Sequence, residues 1–132
     1  MNKVFWFDVP VRDIDRASEW YNDVFGWDIQ PRHPEDGGDA LSFRMAYTSE
    51  TGERHTPLRP GSVNGGVVTR DIGITQPTIL IEVESIDEKI EQLVKAGGGI
   101  VAEKVHLPLA EGYFAYVTDP DGNVLGLYEW EK

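Results

Sequence analysis

Two carboxylates and three imidazoles are where chemistry could begin in this chain. Asp8 stands in "KVFWFDVPV" and Glu82 in "TILIEVE", and both runs read as β-strands. Paired carboxylates can move protons or hold a cation. The same two residues can equally be solvated charges at strand ends. His33 and His55 fall in turn-rich loops and His106 at a strand exit, with no H-x-x-x-H or similar spacing. Such isolated histidines fit a surface better than a metal site. Arg44, in "SFRMAY", could clamp an anionic ligand or point outward from its strand. The chain has no cysteine, so disulfides, thiolate nucleophiles and cysteine-based zinc sites are excluded.

The charge balance narrows the partners. Twelve Lys and Arg face 23 Asp and Glu, a net charge of −11. Nucleic-acid binding needs clustered basic residues to neutralise phosphates, so it is not expected. An acidic cleft would concentrate a cationic ligand, although the same charge also serves solubility. The 132 residues suit a single domain, 1–132, with a real core. No apolar run reaches the roughly 18 residues of a membrane span. The N-terminus "MNKVFWFDVP" reads as a first strand and not a signal peptide, so a cytoplasmic location is the expectation.

The elements that must position these residues are written twice. After the strand at 3–11, Ile14, Ala17, Tyr21, Val24 and Phe25 fall at helical spacing, with Asp13 as N-cap and Gly26 as a stop. The second strand, near 78–83, runs into a helix opened by the capping box Ser85 and Glu88. Its apolar face is Ile86, Ile90, Leu93 and Val94, and it ends in Gly97, Gly98 and Gly99. An offset of 72 residues superposes the two patterns, carrying Ile14 onto Ile86, Trp6 onto Thr78 and Gly26 onto Gly98. Three short strand-like runs follow each helix. The pattern predicts an internal duplication, with a first βαβββ module over 1–71, a joint within 70–77 and a second module over 78–132.

A duplicated βαβββ unit of this size resembles the vicinal oxygen chelate superfamily of glyoxalases, bleomycin-resistance proteins and extradiol dioxygenases. "VPVRDIDRASEWYNDVFGW" is similar to that family's opening strand and helix, and "VTDPDGNVLGLYEW" to its closing turn and strand. With the repeat between them, the resemblance covers nearly the whole chain. It implies an α+β fold in which two βαβββ modules form paired half-barrels around a cleft, and it implies a homodimer.

The resemblance also implies where a metal would sit. Enzymes of the family hold a divalent ion with one ligand from each of four strands, and such an ion acts as a Lewis acid. The first ligand position, seven residues before Asp13, is Trp6 here, and its counterpart is Thr78. The last, a glutamate four residues after the D-P-D-G glycine, is Gly126, and its counterpart is Gly65 or Gly66. An indole N–H only donates, glycine has no side chain, and a lone threonine hydroxyl is a poor ligand. No metal and no cofactor are therefore expected, and no catalytic residue is assigned.

Strand alternation then predicts the cleft wall. If Trp6 faces the cleft, so do Val4 and Asp8, while Phe5, Phe7 and Val9 pack under the first helix. The expected ligand-binding residues are Trp6, Asp8, Gly66, Thr78, Glu82, Gly126 and Tyr128. Trp20 and Trp27 are read as core or interface and Trp130 as a dimer contact. The leading function is metal-independent binding of a small organic ligand, cationic on the charge argument. The alternative is a metal-dependent lyase, isomerase or dioxygenase of the same family, using Asp8, Glu82, His106 or Glu111. A third reading is a module with no ligand, its cleft plugged by Trp6 and Tyr128.

Overall fold

A computed structural model describes residues 1–30, 43–70 and 73–132. His33 and part of the joint at 70–77 lie outside the described residues. The order is β1 (Val4–Val11), α1 (Ile14–Phe25), β2 (Asp28–Gln30), β3 (Phe43–Tyr47), β4 (Asn64–Thr69), then β5 (Thr78–Glu82), α2 (Ile86–Lys95), β6 (Gly99–Leu107), β7 (Gly112–Thr118) and β8 (Val124–Trp130). This is βαβββ twice, as the repeat predicts.

The caps explain the helix limits. Asp13 accepts a hydrogen bond from the Arg16 backbone N–H at 3.1 Å, and Ser85 accepts one from Glu88 at 3.2 Å. Gly26 ends α1 in the left-handed conformation, φ 73°, which glycine adopts at little cost. The apolar stripe of α1 is shorter than its spacing suggests. Ile14 is buried, but Val24 and Phe25 are exposed.

All eight strands among the described residues form one mixed sheet in the order β2-β3-β4-β1-β5-β8-β7-β6. At its centre β1 and β5 run antiparallel, and each is flanked by a parallel partner, β4 and β8. In the seam Trp6 pairs with Leu80 and Asp8 with Thr78. The 72-residue offset exchanges these two pairs, so the seam is a local pseudo-twofold.

Alternation divides the core between the two faces of the sheet. Ile14 of α1 packs with Ile29, Ala46 and Val67 on one helix-covered part of the sheet, and Ile86 of α2 with Val83, Ala115, Val117 and Leu127 on the other. The opposite face carries the largest cluster, including Trp6, Phe43, Met45, Leu80, Tyr116 and Tyr128. Phe5 departs from the expected alternation. A β-bulge between Val4 and Trp6 inserts one residue. An extra residue in one strand reverses the facing of what precedes it. Phe5 therefore joins this cluster instead of packing under α1, and Val4 is left exposed. No helix among the described residues is long and apolar enough to cross a membrane.

Candidate functional site

The cavity lies on the face away from the helices, where the two halves meet. Its floor is Trp6, Asp8 and Leu80 from the seam strands, and its walls include Phe114 and Tyr116 of β7 and Tyr128 and Trp130 of β8. Phe5, Phe43, His55, Leu107 and Ala110 complete the lining. The space between the walls is about 400 Å³, part of it open to solvent. The side chains interleave closely, and the cavity left between them is about 20 Å³. That is room for about one water.

Asp8 is the charged group at the bottom of this aromatic space. It is 2% exposed. The Tyr116 hydroxyl donates to its Oδ2 at 2.5 Å and the Trp6 indole to its Oδ1 at 3.2 Å. Burial raises the Asp8 carboxyl to about 7, although both hydrogen bonds oppose the rise. Burial and the neighbouring Asp8 push the Tyr116 phenol upward in turn. Among the described residues no Lys or Arg side chain lines the cavity.

The mouth is built from strained loops. After β3 the chain makes a single 3-10 turn at Glu53–His55, and before β7 another at Pro108–Ala110. Arg54, His55 and Glu111 are the three non-glycine residues with positive φ among the described residues, and all three sit here. The Arg54 guanidinium lies 4.9 Å from the Trp130 ring centre. His55 Nδ1 is 2.7 Å from the Tyr47 hydroxyl, and its Nε2 is 3.3 Å from a Glu111 oxygen without hydrogen-bond alignment. Burial pushes the His55 imidazole down, while Glu111 pulls the other way. The Tyr128 hydroxyl donates to the Ala110 carbonyl and ties β8 to the second turn.

The expected site residues divide into three groups. Trp6, Asp8 and Tyr128 meet on the cavity. Gly66, Thr78 and Gly126 lie on the strands beneath it but do not line it. The room at both glycines is filled by protein. A Cβ on Gly66 would stand 2.6 Å from Phe43 Cε2 and 2.7 Å from Asp8 Oδ1, and one on Gly126 would collide with the Leu80 side chain. Thr78 is buried and its hydroxyl donates to the Gln76 carbonyl at 2.9 Å. Glu82 lies outside the cavity, correcting its place in the cleft. Its carboxylate accepts the Trp130 indole N–H and sits 3.8 Å from Lys3 Nζ, on a shallow outer depression. Trp130 lines both spaces and stands between them.

Other sequence readings are corrected too. Arg44 neither clamps a ligand nor points outward. It is buried, with its guanidinium paired to Asp15 and reaching Ser18 Oγ of α1 at 3.3 Å. Tyr116 was missed, and alternation in "YFAYVT" carried its signal. Phe114 and Tyr116 face the cavity while Ala115 and Val117 pack under α2.

The residues at the family's four metal positions do not suit a metal ion. Trp6, Gly66, Thr78 and Gly126 supply one hydroxyl among them, and that hydroxyl is already bonded to a carbonyl. Among the described residues no three His, Asp or Glu side chains gather as a metal would require. Of the alternative set, Asp8 is in the cavity, Glu82 outside it, His106 paired with Glu131 and Glu111 beside His55.

Paired βαβββ units sharing one sheet and one inter-half cavity define the class of fold. The chain belongs to the Glyoxalase/Bleomycin resistance protein/Dioxygenase superfamily, whose model matches residues 3–127. It is 25% identical over 127 residues to CFP32 of Mycobacterium tuberculosis, covering 94% of this chain and 44% of that protein. The chain thus spans less than half the length of that relative. It is 27% identical over 120 residues to a glyoxylase-like domain-containing protein of Didymella fabae, covering 88% and 84%. A crystal structure of methylmalonyl-CoA epimerase shares the fold with a TM-score of 0.61 at 16% identity, covering 98% of this chain and 95% of that one.

Proposed function

We propose that the protein binds a small organic molecule, without a metal, in the cavity over the β1–β5 seam. The observation that carries this reading is the convergence of Trp6, Asp8, Tyr116 and Tyr128 on one largely apolar space. Ligand sites are concave and mostly apolar, with a few polar groups that fix orientation, and this cavity has that composition. The residues at the family's metal positions support the metal-free part, because they offer no competent donor set. The metal-dependent alternative draws on Asp8, Glu82, His106 and Glu111, and their separation speaks against it.

The cavity's narrowness bears on the third reading, a plugged module. Its fill is side chains, several of them only partly buried, including Phe5, Phe114 and Trp130. Such side chains change rotamer on binding far more readily than backbone moves. We include a homodimer in the proposal on the family resemblance, and a cytoplasmic location as the default for a chain without cysteine. Sedimentation equilibrium tests the first.

Metal analysis of protein purified without chelator tests the metal-free claim. The expected result is far less than one ion per chain. One tightly held equivalent of Ni, Zn, Fe or Mn would overturn it.

A further inference from the structure

The geometry points to a compact organic cation as the cavity's occupant, a quaternary ammonium on a small apolar body with its charge beside Asp8. This rests on the binding reading above and names its ligand class.

Three observations converge on it. First, Asp8 is a buried acid whose hydrogen bonds among the described residues come from the neutral Trp6 indole and Tyr116 hydroxyl, with no Lys or Arg of the described residues on the lining beside it. A buried carboxylate is costly until a positive charge is placed beside it. Second, the walls around it are aromatic: Trp6, Phe114, Tyr116, Tyr128 and Trp130. Aromatic faces attract a cation that has lost its water, and cages of this kind suit alkylammonium groups. Third, each Asp8 oxygen already accepts a hydrogen bond. That favours a diffuse charge, which needs no further acceptor, over a primary ammonium. An anion would meet Asp8 with no Lys or Arg among the described lining residues to offset it. The tight interior limits the ligand to a small body that displaces side chains, not backbone.

Among the described residues that line the cavity with Asp8, the titratable groups are Tyr116 from β7, Tyr128 from β8 and His55 from the mouth. At neutral pH Asp8 is partly protonated, since burial holds it at about 7. A cation selects the ionised form, so its affinity rises with pH across that value. A neutral ligand of the same shape has no such demand.

The test is calorimetric titration with benzyltrimethylammonium and with neopentylbenzene, its uncharged carbon isostere. The expected result is that the cation binds about tenfold or more tightly than the isostere at about pH 8. The preference shrinks at about pH 6 as Asp8 takes up a proton. In Asp8→Asn the preference falls to about twofold or less at both pH values. The wild-type ratio against pH needs no variant, so a poorly folding Asp8→Asn does not remove the test. Equal affinities at both pH values would overturn the cation assignment and leave the binding reading standing. Failure of both compounds to bind would overturn the two together.

Discussion

The Leu80 side chain occupies the space that a side chain on Gly126 would need. Its Cδ1 lies 2.9 Å from an ideal Cβ there and its Cγ is closer still. Leu80 and Gly126 are register partners across β5 and β8, as Asp8 and Gly66 are across β1 and β4. The 72-residue offset carries Asp8 onto Leu80, and Gly66 and Gly126 hold corresponding places in β4 and β8, the parallel partners of β1 and β5. Each glycine therefore receives the side chain of its partner strand, a leucine in one half and an acid in the other. The symmetric scaffold thus carries one acid and one leucine on its cavity floor.

Gly126→Ala should destabilise the fold by about 1–3 kcal/mol, because Leu80 cannot give way without disturbing Trp6, its partner in the seam. Urea unfolding of Gly126→Ala in wild-type and Leu80→Ala backgrounds isolates the contact. The cost should shrink markedly once Leu80 is truncated. An unchanged cost would mean that the glycine serves some other need.

Asp8 should make stability depend on pH with a definite sign. Its carboxyl is held at about 7 in the folded protein against 3.8 as an ordinary value. The folded state then binds the Asp8 proton more tightly than the unfolded chain does. The associated stability is fully present below about pH 4 and is lost as pH rises through about 7. Asp8→Asn cannot ionise, so its stability relative to wild type should improve from about pH 5 to about pH 8. The gain over that window is of order 1–3 kcal/mol, about two pH units of the full shift, the rest having been lost already between about pH 4 and pH 5. Parallel stability–pH curves for the two proteins would contradict this.

Backbone strain at the mouth gives a third expectation. Glu111 adopts φ 59°, the left-handed region that β-branched residues tolerate poorly. Both Glu111→Asn and Glu111→Val lose the carboxylate beside His55, but asparagine tolerates the conformation. Glu111→Val should therefore be less stable than Glu111→Asn by about 1–2 kcal/mol in thermal or urea unfolding. Equal stabilities would show that this turn relaxes freely.

Much of this fold was legible because its signals are local. Asp13 and Ser85 cap the helices their neighbours predict, and Gly26 stops α1 as its position suggests. Alternation along β1 placed Trp6 and Asp8 on the cavity side. Alternation could not reveal the bulge at Phe5, which depends on the pairing with β5. Nor could it give register between distant strands, so the meeting of Asp8 with Tyr116, 108 positions away, was invisible. Glu82 shares Asp8's strand-face logic but sits at a strand end, where the Trp130 indole captures its carboxylate on the far side. Trp130 itself read as a surface contact, yet its ring lines the cavity under Arg54.

The most direct measurement is nitrogen-15 NMR of the indole N–H groups in protein stripped with EDTA, during titration with small organic cations such as benzyltrimethylammonium. The Trp6 indole reports the cavity through its bond to Asp8, and Trp20, 51% exposed on α1, serves as the internal control. Metal-free binding at this site predicts a saturable shift of Trp6 with Trp20 unmoved. A Trp6 signal that stays fixed until one equivalent of a divalent metal is added would contradict it.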